Sequence, residues 1–277
     1  MKNLLVFAFA LFLTTGSTCA QHSVTGSKNY VTKQVAVGEF SNIRVTGSPD
    51  VIYTQTSGKP HVEIYGSDNI VDLLDVYVEK NALIIKFKPN ISIRNTGKLE
   101  VRVSAPVPDM FEVTGSGEIF LANGVDINKP VGLKVTGSGD IYGNEVRCPK
   151  LNMRVTGSGD VKLTKVVAED LSAEVSGSGD IEVKTVSSRN VKASVSGSGD
   201  LVMKGKSVNA DFKVSGSGDM DTSGLEAANV IARVGGSGEI QCHATSSLNA
   251  HVGGSGSIRY KGNPSQVETS KKGVRRL

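Results

Sequence analysis

Leu171-Ser172-Ala173-Glu174-Val175-Ser176-Gly177-Ser178-Gly179-Asp180-Ile181-Glu182-Val183-Lys184 alternates between two kinds of position. Leu171, Ala173, Val175, Gly177, Gly179, Ile181 and Val183 hold one parity, while serines, acids and Lys184 hold the other. A period of two is the mark of a strand with one buried and one wet face. The two glycines fall on the buried parity, which predicts a corner where the chain bends inward and no side chain fits. A linker reading of Gly-Ser-Gly fails, because a linker has no reason to keep register with flanking aliphatics.

The same stretch recurs along the chain. Copies of Val-(Thr/Ser/Gly)-Gly-Ser-Gly-(Glu/Asp/Ser) begin at Val113, Val135, Val155, Val175, Val195, Val214, Val234 and Val252, spaced by 22, 20, 20, 20, 19, 20 and 18 residues. A degenerate ninth copy runs from Val45 to Val51. One strand with one buried face is not stable alone, but equivalent strands stacked in parallel about 4.8 Å apart bury each face and pair each backbone. The expected fold is therefore all-β: a single-stranded parallel β-solenoid with coils of about twenty residues. Parallel crossovers favour the right hand. Its interior should hold ladders, one of Leu133, Met153, Ala173, Ala193, Phe212, Ala232 and Ala250, another of the repeat valines from Val135 to Val252. Val146, Val166, Val186 and Leu225 supply a second apolar position for the opposite wall. Gly157, Gly159, Gly177, Gly179, Gly197 and Gly199 are the structural corner.

Composition agrees with a repetitive chain. Of 277 residues, 32 are Gly, none is Trp, and hydrophobic residues make up 38%. The net charge of +4 is too small to indicate a nucleic-acid partner. Residues 1–20 read as a signal peptide: Lys2, then an apolar run from Leu4 to Leu13, then small residues to Ala20. Lipidation at Cys19 competes, but Gly16 stands where a lipobox wants an aliphatic residue. Export is expected, to the periplasm, outer membrane or exterior, with no integral membrane segment in the mature chain. Beyond a leader at 21–35, residues 36–108 form an irregular β region of divergent coils with a hairpin insertion at Glu79-Lys80-Asn81-Ala82, capping the solenoid. Asp68 is placed to cap a short helical turn through Leu74. The regular repeats span 109–262, and 263–277 form a C-terminal cap or basic tail.

These repeats, the signal peptide and the opening Phe40-Ser41-Asn42-Ile43-Arg44-Val45-Thr46-Gly47-Ser48 resemble the secreted DUF2807 proteins, the auto-transporter adhesin "head GIN" domain of Bacteroidetes-type bacteria, over roughly residues 36–262. The resemblance implies a right-handed β-helix and a cell-envelope or extracellular location. It offers no catalytic motif to carry over. Ser270-Lys271-Lys272-Gly273 replaces the glycine-serine corner and departs from the pattern.

Chemistry-bearing residues fall in columns. Glu118, Asp140, Asp160, Asp180, Asp200, Asp219 and Glu239 recur once per repeat. Each carboxylate is expected to accept backbone N–H groups at its corner. The sharper alternative is a cation ridge along Asp140, Asp160, Asp180, Asp200 and Asp219, with calcium as the natural ion. Outward hydroxyls form two further columns, from Thr114 to Ser215 and from Ser116 to Ser255. Cys148 and Cys242 lie too many coils apart to pair, and Cys242 falls on the buried parity. No cofactor is implied. The function expected is a non-catalytic secreted or envelope module that binds a surface glycan, matrix or envelope protein. The alternatives are a polysaccharide-active β-helix enzyme, which would need protruding loops, and a purely structural accessory protein.

Overall fold

A computed structural model of the chain describes residues 22–94, 97–106, 108–270 and 272–277. The expected signal peptide and Cys19 lie outside the described residues. The architecture is a parallel β-solenoid. Val135 pairs in register with Val155, and that column continues through Val175, Val195, Val214 and Val234 to Val252. The ladder of Leu133, Met153, Ala173, Ala193, Phe212, Ala232 and Ala250 is likewise one column, all of it buried. Its members are not of like size. Phe212 sits between Ala193 and Ala232, so a large ring is accommodated by small neighbours above and below.

A coil of the regular body bends at two places besides the glycine corner. In Val161–Val175 the inward residues are Val161 and Leu163, then Val166 and Ala168, then Leu171, Ala173 and Val175. The alternation breaks at Thr164-Lys165 and again at Glu169-Asp170, where two successive side chains turn outward. Strict alternation keeps a strand flat, so each break is a bend between short walls. The second apolar column runs Val146, Val166, Val186, Gly205, Leu225. Gly205 interrupts it with a φ of +132°, beside the register shift in that strand.

The N-terminal region differs from a simple series of divergent coils. Asn42–Gly47 pairs with Ala82–Phe87 on one side and Met110–Gly115 on the other. Val51–Gln55 lies likewise between Glu100–Ala105 and Glu118–Leu121. The chain thus lays down an inner coil first, adds the outer one next, and then crosses back to continue the stack. The outer coil is covered by antiparallel strands: Leu74–Glu79 on Ala82–Phe87, and His61–Ser67 on Glu100–Ala105, with Tyr30–Val35 beyond it. Lys80 and Asn81, at φ 48° and 65°, form the two-residue hairpin turn expected there. The short helix is Asp68–Val71, so Asp68 is its first residue and not its cap; Ser67 precedes it without a side-chain capping bond, and the helix ends earlier than expected because Leu74 already begins a strand. His22–Thr25, within the supposed leader, pairs with Ile91–Arg94.

The solenoid also continues past residue 262. Gln266–Thr269 pairs with the preceding coil at Ser247 to Ala250, and Val274–Arg276 pairs with Ile258 to Tyr260. Between these two strands Gly273 stands at φ +81°, and its carbonyl accepts the Ile258 N–H at 2.8 Å.

Candidate functional site

At the glycine corner the backbone satisfies itself. The N–H groups of Ser178 and Gly179 both donate to the Gly157 carbonyl, at 2.8 and 3.0 Å, and those of Ser198 and Gly199 donate to Gly177. Coils consequently approach so closely that a Cβ on Gly179 would run into the Gly159 carbonyl oxygen. The obstacle is the backbone of the stacked glycine in the preceding coil.

The acidic column forms a ladder of its own. The Asp160 N–H donates to Asp140 Oδ1 at 2.7 Å, that of Asp180 to Asp160 Oδ1 at 2.9 Å, and that of Asp200 to Asp180 Oδ1 at 2.8 Å. Asp219 and Glu239 continue the series at 2.9 and 2.8 Å. Each aspartate carboxylate from Asp140 to Asp219 therefore accepts the N–H of the acidic residue one coil on, not those of the corner glycines. The two glutamates behave differently. Glu118 accepts the Tyr142 hydroxyl at 2.9 Å, and Glu239 pairs with Arg259 and accepts from Ser257 and Gln241. Burial and the Glu118 carboxylate push the Tyr142 hydroxyl up to about 12, which keeps it a donor. Glu239 is pulled below the usual carboxylate range: burial works against this, but the bonds from Arg259, Ser257 and Gln241 outweigh it. At the head of the column burial and the nearby Glu118 push Asp50 up. Among the described residues no group of three or more His, Cys, Asp or Glu is arranged to hold a metal.

The remaining expected residues lie elsewhere on the coils. Thr114, Thr136 and Thr156 align across coils on the outer face, and Ser116 to Ser255 are exposed. Cys148 and Cys242 are free and buried, and burial pushes their thiols up to about 11 and about 12.

A second ladder escaped sequence reasoning. At the Glu169-Asp170 corner, Asn190 Nδ2 donates to Asp170 Oδ1 at 2.8 Å, Asn209 Nδ2 to Asn190 Oδ1 at 2.9 Å, and Asn229 Nδ2 to Asn209 Oδ1 at 3.0 Å. The Ser247 hydroxyl closes the series on Asn229 Oδ1 at 2.9 Å. The signal was the spacing of Asp170, Asn190, Asn209 and Asn229, by 20, 19 and 20 residues. Beside this ladder runs an open groove of about 590 Å³ that crosses coils from Lys150 to Ile231. Ser172, Lys192 and Asp211 form its other polar border, and Leu171, Val191 and Ala210 reach its lining. Every ladder amide retains one N–H and one carbonyl lone pair beyond its inter-coil bond, so the groove offers paired donors and acceptors at each coil rise, about 4.8 Å.

A profile of the family described as "Putative auto-transporter adhesin, head GIN domain" matches residues 39–166 and again 163–264. A solved "putative lipid binding protein" from Parabacteroides distasonis ATCC 8503 is similar, with a TM-score of 0.69 at 24% identity over 92% of this chain and 99% of that one. A "putative adhesin" from Parabacteroides merdae ATCC 43184 gives 0.69 at 23% identity, again over 92% and 99%. A second "putative adhesin" from Parabacteroides distasonis ATCC 8503 gives 0.65 at 25% identity over 92% and 100%. No curated protein matches the chain.

Proposed function

The chain belongs to the DUF2807 family, and from that premise we propose that it is an exported, non-catalytic binding module of the cell envelope whose ligand is a surface glycan. The groove beside the asparagine ladder carries this reading. It is long, open and lined by repeated asparagine amides together with charged side chains and Ser172, which suits the hydroxyl-rich flank of an extended polymer. Two further observations support binding over catalysis. Among the described residues the coils from Val113 to Val252 carry no protruding loop, and the acidic column is occupied in bonding one coil to the next. A lipid ligand, suggested by the name of one solved relative, is less well served: the interior between the walls is filled by the valine and Leu133-to-Ala250 ladders.

The test is a glycan array probed with the protein lacking residues 1–20, alongside Asn209→Leu and Lys192→Glu. Selective binding by the parent that both variants lose supports the reading. An array on which the folded parent binds nothing overturns it. Cell fractionation checks export, with retention in the cytoplasm as the contrary result.

A further inference from the structure

A different wall of the solenoid carries two aromatic rings side by side on its outer surface. Phe120 and Tyr142 are register partners in adjacent coils, and their rings stack with centroids 5.1 Å apart and planes at 27°. Tyr142 is 37% exposed although its hydroxyl is tied down by Glu118, so the ring is held in place while part of it stays open to solvent. A recess of about 330 Å³ opens beside them, lined by Asn144, Thr164, Lys162 and Glu182 as well as the rings. Gly143 also lines it, standing where Leu121 and Leu163 hold that position in the neighbouring coils.

We propose that this recess is a pyranose-binding subsite in which Phe120 and Tyr142 form the stacking platform. A sugar ring has an apolar C–H face and a hydroxylated rim, and the recess matches both. The ring surface that the Phe120–Tyr142 stack leaves open takes the first. Asn144, Thr164, Lys162 and Glu182, which line the recess, carry the amide, hydroxyl, ammonium and carboxylate groups for the second. Lys162 is already held by Asp160 Oδ2 at 2.6 Å, so its position is set before a ligand arrives. Cross-strand ring pairing by itself would explain a stability contribution, but not polar groups grouped around one open side of the rings.

This inference rests on the glycan reading but concerns a separate wall. The probes are neutral and uronic-acid oligosaccharides of two to six sugars, titrated into the protein lacking residues 1–20 while aromatic NMR signals are followed. Tyr142 signals, assigned by their loss in Tyr142→Ala, should shift on saturation. Tyr142→Ala and Phe120→Ala should each weaken binding about tenfold, and Tyr142→Phe, which keeps the ring, by less. Parent-like melting of Tyr142→Phe keeps the comparison valid should an alanine variant unfold. If glycans bind and the groove variants alone reduce affinity, the platform is overturned and the proposed function stands. If no glycan binds, both fall. If the platform variants alone reduce affinity, this subsite stands and the groove loses its role. A concentration-dependent dimer abolished by Tyr142→Ala would instead make the ring pair a protein contact and overturn the proposal.

Discussion

One methylene separates the two behaviours of the acidic column. An aspartate carboxylate at the corner reaches the N–H one coil away, as Asp180 does with Asp200. Glu118 and Glu239 occupy equivalent places but extend past the backbone to Tyr142 and Arg259. Asp180→Ala should therefore cost about 1 kcal/mol in urea or thermal unfolding, the value of a lost side-chain-to-backbone bond. Asp180→Asn, whose Oδ1 can still accept, should cost less. Millimolar calcium should leave the melting temperature unchanged, and a rise that disappears in Asp180→Asn would restore the cation ridge. The corner glycine is harder to replace. Gly179→Val places its Cβ against the Gly159 carbonyl and should destabilise by about 3 kcal/mol, beyond any propensity effect. Melting of that variant at the parent temperature would mean the coils can separate at the corner. That these residues matter was readable from their recurrence. Which atoms they meet was not, because the partner of each lies about twenty residues away and depends on the height of the coil.

Walls and corners carry the electrostatics, since every outward side chain has a neighbour directly above and below. Glu112 sits between Arg44 and Lys134 on adjacent coils, accepting from them at 2.7 and 2.7 Å. Burial raises its carboxyl, but the bonds to Lys134 and Arg44 outweigh this and the net effect is a lowered value. A lowered folded value means stability present above the unfolded value near 4.5 and lost as pH falls through the folded one. Glu112→Gln should lower the melting temperature at pH 7 and flatten the acid limb of the stability profile. Asp50 has the opposite sign, because burial and the nearby Glu118 raise it above 3.8. Its ionised form is a penalty that grows as pH rises through and above that value. Asp50→Asn should thus gain stability at pH 7 and lose the advantage below about pH 3.8. Equal melting of both proteins across that range would show the carboxylate beside Glu118 to be costless. The inner ladders were legible from parity alone, because inward positions share one environment. The places where the coil bends besides the glycine corner, Thr164-Lys165 and Glu169-Asp170, were not, since a two-residue break in alternation is brief beside the repeated glycine signature. The asparagine ladder shares that corner and went unread with it.

Scaled up to the whole solenoid, the inward ladders make stability a stack of nearest-neighbour terms, and the two ends are built differently. The near-identical repeats made the stack legible from Val113 onward, where each coil follows its predecessor. They could not reveal the crossed order of the N-terminal coils, because residues 82–105 carry no copy of the corner signature that would place them outside residues 42–55. That order has a physical consequence. The outer N-terminal coil has its edges paired by the antiparallel strands Leu74–Glu79 and His61–Ser67, and Val62, Ile64 and Leu74 are buried there. At the other end Gln266–Thr269 is exposed along its whole length, and Val274–Arg276 is only partly covered. Lys272, Arg275 and Arg276 discourage further strand pairing at that edge without burying anything. A stack of this kind opens first where one neighbour is missing. Hydrogen exchange should therefore be fastest in amides of residues 266–276, slowest in Val161–Val234, and nearly as slow in Ala82–Phe87 and Glu100–Ala105 because of their antiparallel cover. Peptide-resolved exchange by mass spectrometry measures this directly. Should the N-terminal coil exchange as fast as the C-terminal one, its antiparallel strands add no protection, and the crossed coil order would have to be explained by something other than edge capping.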